Sequence, residues 1–260
     1  MSLVMPGRAA DFALFLIFCG TILVLTLMAD RGRKFELRKR LPALDAIPEA
    51  IGRAVEMGRP IHYTPGRGGG FYGVRGTHTQ MGLVVCGHVA RICARLGAKF
   101  VVSVANPEEI PLAEEIYRGA FVAEGRPEVQ PDVRFYGVGD PSFGAGCLGT
   151  IGRERAAVNM IIGGSGSDFP IVAEGAFRMG AFQIGGNANV FMIPLVVASC
   201  DYTLIGEELF AAGAMLSENT TQLAGIVAND ISKVFIIVLI LLGAILLTAG
   251  FPIVLQLLKM

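Results

Sequence analysis

The chain has 260 residues, 53% of them hydrophobic and only 17% charged, with a mean hydropathy of +0.57. That is too apolar for an ordinary soluble domain. Basic and acidic residues balance at 22 each, which excludes a bulk electrostatic attraction to nucleic acid.

The first element is an apolar run from Ala9 to Ala29, interrupted only by Asp11 near its start. At 1.5 Å per helical residue it covers about 31 Å, enough to cross a bilayer core. A cleaved signal peptide is disfavoured, because only Arg8 precedes the run and no small-x-small site follows it. Arg31, Arg33, Lys34, Arg38, Lys39 and Arg40 come next. By the positive-inside rule they place the central segment in the cytoplasm and both termini outside. Such a cluster also suits nucleic acid, but a topology signal resting on anionic headgroups is the preferred reading.

Residues 41–232 are long enough for one domain with a sizeable core. Leu44, Ile47, Ile51 and Val55 recur at helical spacing before Gly58. Ile61 to Thr64 reads as a strand, followed by a glycine-rich loop from Pro65 to Gly76. Thr79 to Leu96 reads as a helix, with Thr77 or Thr79 as its N-cap and Gly97 as its stop. Further strands are expected at Lys99–Ala105, Val133–Tyr136, Ala157–Ile162, Ala181–Ile184 and Asp201–Ile205. Helices are expected at Pro107–Glu124, Pro141–Arg155, Asp168–Met179, Ala188–Ser199 and Glu207–Leu216. Six strands alternating with helices predict an α/β fold with a parallel, doubly wound, Rossmann-like sheet. Ile162-Gly163-Gly164-Ser165 and Ile184-Gly185-Gly186-Asn187 form a weak repeat, each read as a strand end, two glycines and a helix cap. Thr220 to Lys233 leads into a second apolar run, Val234 to Leu258, also long enough to span a membrane.

Three segments carry a resemblance. They are Ile47 to Ala54, Gly58 to Gly66, and the run Cys200-Asp201-Tyr202-Thr203-Leu204-Ile205-Gly206-Glu207-Glu208 with its continuation to Ala214. Together they resemble a prokaryotic membrane-protein family catalogued only as a domain of unknown function, over most of residues 47–233. The resemblance supports the domain assignment and implies no activity.

Parallel sheets bind ligands at the carboxyl ends of their strands, so the loops there are the candidate sites. Gly163-Gly164-Ser165-Gly166-Ser167-Asp168 follows a strand and opens a helix. Its backbone N–H groups suit an anion, although it lacks the Lys-Ser/Thr of a P-loop, and Asp168 opposes phosphate. Gly137-Val138-Gly139-Asp140-Pro141-Ser142 has only two glycines of a dinucleotide fingerprint. The loop Gly66 to Gly76 carries Arg67 and Arg75, which suit either an anion clamp or a subunit contact. The candidate ligand set is therefore Gly163, Gly164, Ser165 and Gly166 with Arg67 and Arg75.

His62, His78 and His88 show no metal-ligand spacing. Cys19, Cys86, Cys93, Cys147 and Cys200 have no paired spacing and read as reduced thiols. Cys200 beside Asp201 is the best nucleophile candidate, though a buried apolar role suits it better. Glu207 and Glu208 diverge on a helix and suit its dipole rather than paired acid–base work. No catalytic residue and no cofactor is indicated. The expected partners are the lipid bilayer and further copies of the chain, not nucleic acid. The leading reading is a non-enzymatic, membrane-anchored domain that self-associates. The alternative is an enzyme or sensor that binds a small anionic ligand at the glycine-rich loops.

Overall fold

Alternation of buried apolar runs with amphipathic ones sets the element order. The computed structural model describes residues 9–33, 40–68, 70–217 and 219–249, without the side chains of residues 9–11, 74, 75 and 140. Lys34, Arg38 and Lys39 of the basic cluster, and the far end of the second apolar run, lie outside the described residues. The chain forms two compact units, one of residues 1–38 with 218–260 and one of residues 39–217.

The elements are α1 (Ala9–Asp30), α2 (Pro42–Glu56), β1 (Ile61–Thr64), α3 (Gly73–Leu96) and β2 (Phe100–Val104). Then follow α4 (Glu109–Ala123), β3 (Val133–Phe135), α5 (Asp140–Glu154), β4 (Val158–Ile162) and α6 (Asp168–Arg178). The chain closes with β5 (Phe182–Asn187), α7 (Ile193–Ser199), β6 (Tyr202–Ile205), α8 (Glu207–Leu216) and α9 (Thr220–Thr248).

The first unit is an antiparallel helix pair. Both α1 and α9 are long and apolar enough to cross a membrane. The Thr221 hydroxyl, in the first turn of α9, donates to the Asp30 carboxylate at the end of α1 (3.1 Å). Further along, Phe18 and Phe235 meet edge to face with ring centroids 6.2 Å apart.

The second unit is an α/β layer structure. Its six strands are all parallel, in the order β3-β2-β1-β4-β5-β6. This is the doubly wound, Rossmann-like order, in which the chain reverses its direction of travel between β1 and β4. Alternate strand residues point to opposite faces. On one face Tyr63 donates to the Gly82 carbonyl of α3 (2.5 Å), and Phe100, Tyr117 and Phe121 stack in succession. On the other face Phe143, Cys147, Ile151, Phe169 and Val172 of α5 and α6 form the core with Ile161. Each fully buried phenylalanine there contributes roughly 1.5–3 kcal/mol.

A buried polar chain crosses that second face. Gln183 of β5 donates through Nε2 to the Ala173 carbonyl of α6 (2.6 Å), and its Oε1 accepts from Asn159 Nδ2 of β4 (3.0 Å). Asn159 therefore turns Oδ1 toward His62 Nδ1 of β1 (2.8 Å), and His62 Nε2 meets the Ser103 hydroxyl of β2 (2.8 Å). That order of donors puts the imidazole proton on Nδ1 and leaves Nε2 to accept. All four side chains are buried, and each has partners.

Three local expectations change. Helix α7 begins at Ile193 rather than Ala188, because Asn187 Oδ1 accepts from the Asn189 amide (2.8 Å) and Asn189 Oδ1 from the Phe191 amide (3.1 Å), local bonds that compete with a helix. Helix α3 begins at Gly73, with Tyr72 at its N-cap, so Thr77 and Thr79 lie inside it. Gly76, expected in the loop, lies in the helix. The position takes glycine because a Cβ there would strike the backbone of Phe71. The strand at Ala181–Ile184 runs on to Asn187, so Gly185 and Gly186 are strand residues rather than a turn.

Candidate functional site

The switch point between β1 and β4 gathers the glycine loops. Gly66 (φ +81°) and Gly163 (φ +143°) hold conformations that L side chains rarely adopt. A Cβ on Gly66 would lie 2.6 Å from the Gly164 carbonyl oxygen, and one on Gly163 would strike the Pro65 carbonyl. The two loops thus interlock backbone to backbone. The Gly66 amide is held by the Thr64 hydroxyl (3.0 Å).

The candidate residues are brought together in part. Gly163 donates its amide to the Gly186 carbonyl (2.9 Å), which extends the sheet. Asn187 Nδ2 donates to the Ser165 hydroxyl (2.7 Å) and to its carbonyl (3.1 Å). The Gly166 amide donates to the buried Asp168 carboxylate (2.8 Å). Any anion that approaches these amides therefore meets a carboxylate already bound to one of them. Arg67 follows Gly66 and donates through Nη1 to the Val138 carbonyl (2.7 Å), tying this loop to the one after β3. Arg75 belongs to the first turns of α3, and its side chain is outside the described set.

A second loop cluster, around Asn106 and Glu109, adjoins them, and no sequence motif marks it. Glu109 opens α4 fully buried, and its carboxylate accepts from Asn106 Nδ2 (2.7 Å). Burial pushes its carboxyl above the usual range, against the pull of the Asn106 hydrogen bonds. A Cβ on Gly70 would strike the Glu108 carboxylate, so the loop after β1 leans on the turn after β2.

Cys200 is no activated thiol. Burial pushes its pKa up to about 12, the neighbouring Asp201 adds to the effect, and the Ser199 hydrogen bond offsets part of it. Asp201 instead accepts from the Gln183 amide (2.8 Å), and Glu208 accepts from the Ile205 amide (3.2 Å). Gly206 between them has φ +59°. The Cys-Asp-Tyr-Thr-Leu-Ile-Gly-Glu-Glu run is thus the scaffold that joins β6 to its neighbour strand and to α8. Among the described residues no three His, Cys, Asp or Glu side chains gather as a metal site.

A cleft of about 560 Å³ opens at the opposite, amino edge of the sheet, lined by Arg53 of α2 with Val158, Phe182 and Tyr202. Another exposed feature lies around α7. Met179 to Cys200 contains no charged residue, and Val190 to Val197 is apolar throughout. Within α7 only Val196 is buried. Phe191 is 87% exposed, Val190 75% and Val197 55%, and Phe177 of the adjoining α6 is exposed as well.

Fold and site together define a doubly wound α/β unit carried between two helices of membrane-spanning length. The chain belongs to the family described as Domain of unknown function (DUF6754), whose model matches residues 1–258 and so takes in both terminal helices and the α/β unit. No curated protein and no solved structure matches the chain.

Proposed function

We propose that the chain is a two-pass membrane protein whose α/β unit lies in the cytoplasm and self-associates as a non-enzymatic scaffold. Arg31, Arg33 and Arg40 beside α1 support the orientation by the positive-inside rule. The exposed apolar segment from Val190 to Val197 carries the association. A helix apolar on all sides is ordinarily buried, yet α7 buries one residue. An exposed patch of this kind marks an interaction surface. Its chemistry favours protein over lipid. Membrane-surface helices carry basic residues on their polar face, whereas this stretch has no charge between Arg178 and Asp201. Depletion of charge with Phe and Met present matches the core of a protein interface.

Light scattering on the detergent-purified chain, corrected for bound detergent, tests the reading. The expected mass is a multiple of 27.5 kDa. Phe191→Asp with Val197→Asp should lower it toward the monomer without lowering the melting temperature, since both side chains are exposed. A wild-type monomer at micromolar concentration overturns the reading.

A second reading is favoured by the convergence of the two glycine loops at the switch point, where doubly wound sheets take their ligands. In it, Gly163, Gly164, Ser165 and Gly166 with Arg67 and Arg75 receive a small anionic, nucleotide-like or phosphate-like group. A thermal-shift panel of nucleotides and phosphorylated metabolites tests it. A ligand at one hundred times its Kd stabilises the fold by about 2.7 kcal/mol. No shift with any member removes the reading.

A further inference from the structure

The register of the helix pair places charge where α1 has none. From Phe12 to Ala29, α1 carries no charged residue. The Thr221–Asp30 hydrogen bond marks one end of the antiparallel pair, and the Phe18–Phe235 contact lies further along it. Asp230 and Lys233 of α9 fall between these two levels. Ile231 lines one cleft with Gly20, Thr21 and Val24, so the charged pair stands beside the middle of the uncharged stretch. At 1.5 Å per residue, Asp230 is about 13 Å along the axis from Thr221. If α1 crosses the bilayer with its uncharged stretch, α9 enters the membrane before Val234, where its apolar run alone would start the span, and this pair lies within it.

Ionisable side chains at that depth are costly unless they face protein or each other. Asp230 and Lys233 do meet, at 3.4 Å, one turn apart. Yet their side chains keep 53% and 43% of their surface exposed. Asn229 beside them is exposed too, and Ile237, four residues beyond Lys233 on the same helix face, is 56% exposed. A polar and apolar ridge therefore faces outward from the pair.

We propose that this ridge is a membrane-embedded contact between two copies of the chain, in which Asp230 of one copy pairs with Lys233 of the other. The proposal rests on the self-association reading and names the surface that serves it inside the bilayer. Charge selects the occupant. A partner helix with one sign of charge answers only one member of the pair. A two-fold contact presents the same patch twice, so each Asp230 finds a lysine and each Lys233 finds an aspartate. The patch is neutral and complementary to itself.

Disulfide trapping of the full-length chain in native membranes tests this. Ile237→Cys in a Cys19→Ser background is oxidised, and the yield of covalent dimer is measured. The parent should give a dimer. Asp230→Lys alone leaves two lysines per chain, and Lys233→Asp alone leaves two aspartates. Each expressed alone should lose at least tenfold in yield. Co-expressed under different tags, the two should cross-link to each other at the parent's level. A role confined to pairing within one helix cannot be rescued by mixing, because neither chain regains its internal pair. Parent-level yield from either single reversal, or no rescue in the mixture, overturns the proposal. Light scattering on the same samples separates the two claims. An oligomer without the Ile237→Cys cross-link removes this contact and leaves self-association standing, whereas a wild-type monomer removes self-association itself.

Discussion

Ile162-Gly163-Gly164-Ser165 and Ile184-Gly185-Gly186-Asn187 share a sequence pattern and adopt different structures. The first pair leaves the sheet at φ +143° and interlocks with the loop after β1. The second stays in β5, hydrogen-bonded in register with β4 and β6. What separates them is what lies against them. Backbone, namely the Pro65 carbonyl, blocks a Cβ on Gly163, while side chains block one on Gly185, with Cys200 Sγ at 2.5 Å and Val196 Cγ1 at 3.0 Å. Identical glycines thus serve chain direction in one strand and helix approach in the next.

The largest expected effect breaks the first pair. Gly163→Ala combines backbone strain of about 1–3 kcal/mol with overpacking of similar size, so roughly 3–5 kcal/mol should be lost. Denaturant unfolding of the detergent-purified chain measures this, and no second-site change should relieve it, because the obstacle is backbone.

The two glycine-bearing strands also carry Asn159 and Gln183, and these lead to His62. Burial lowers the His62 pKa from 6.5 to about 4, against the raising effect of the Asn159 hydrogen bond. The unfolded imidazole gains its proton below about pH 6.5, and the folded one only below about pH 4. The unfolded state therefore binds more protons in that window. Stability is whole above pH 6.5 and falls as pH drops toward 4, by about 3 kcal/mol from this group. His62→Gln should flatten that part of a melting-temperature profile against pH. An unchanged slope would show that the burial of His62 is not its source.

Gly185→Ala should cost less than Gly163→Ala, about 1–3 kcal/mol, because side chains can yield. Combining it with Cys200→Ala should recover part of the loss, seen as a non-zero coupling in a double-mutant cycle. Full additivity would mean that Cys200 is not the obstacle. The smallest effect is expected at Gly166→Ala. Its φ is not in the left-handed region, and the new Cβ would meet only Asp168 Oδ1 at 3.6 Å. The melting temperature should move little, as for a surface change within about 0.5 kcal/mol.

Much of this fold is legible in the sequence, because hydrophobic periodicity survives packing. The strand at Ile61–Thr64 and the helix at Glu207–Leu216 are found where apolar spacing puts them. The parallel, doubly wound order follows from alternation. Most of the differences fall at glycines, whose meaning depends on what packs against them rather than on the local pattern. Gly76 yields to Phe71 inside α3, and Gly185 yields to Cys200 in β5. Of the candidate ligand residues, Gly163 to Gly166 and Arg67 lie at the carboxyl ends of the strands, where the sequence pattern puts them. That pattern does not reveal that Asp168 already holds the Gly166 amide, or that Arg67 reaches Val138. Nothing in the sequence marks the apolar run Val190 to Val197 as exposed, since exposure is set by how α6 and the sheet pack around it. The level of Asp230 along α1 is likewise set by the register of the helix pair, which neither apolar run encodes alone.

Self-association through the α7 segment is tested by a photo-crosslinking residue at Phe191, activated in intact cells. A covalent product of twice the chain's mass, containing two copies of the chain, is expected, and it should be lost on Val197→Asp. Crosslinks from Phe191 to lipid alone, or none at all, would contradict it.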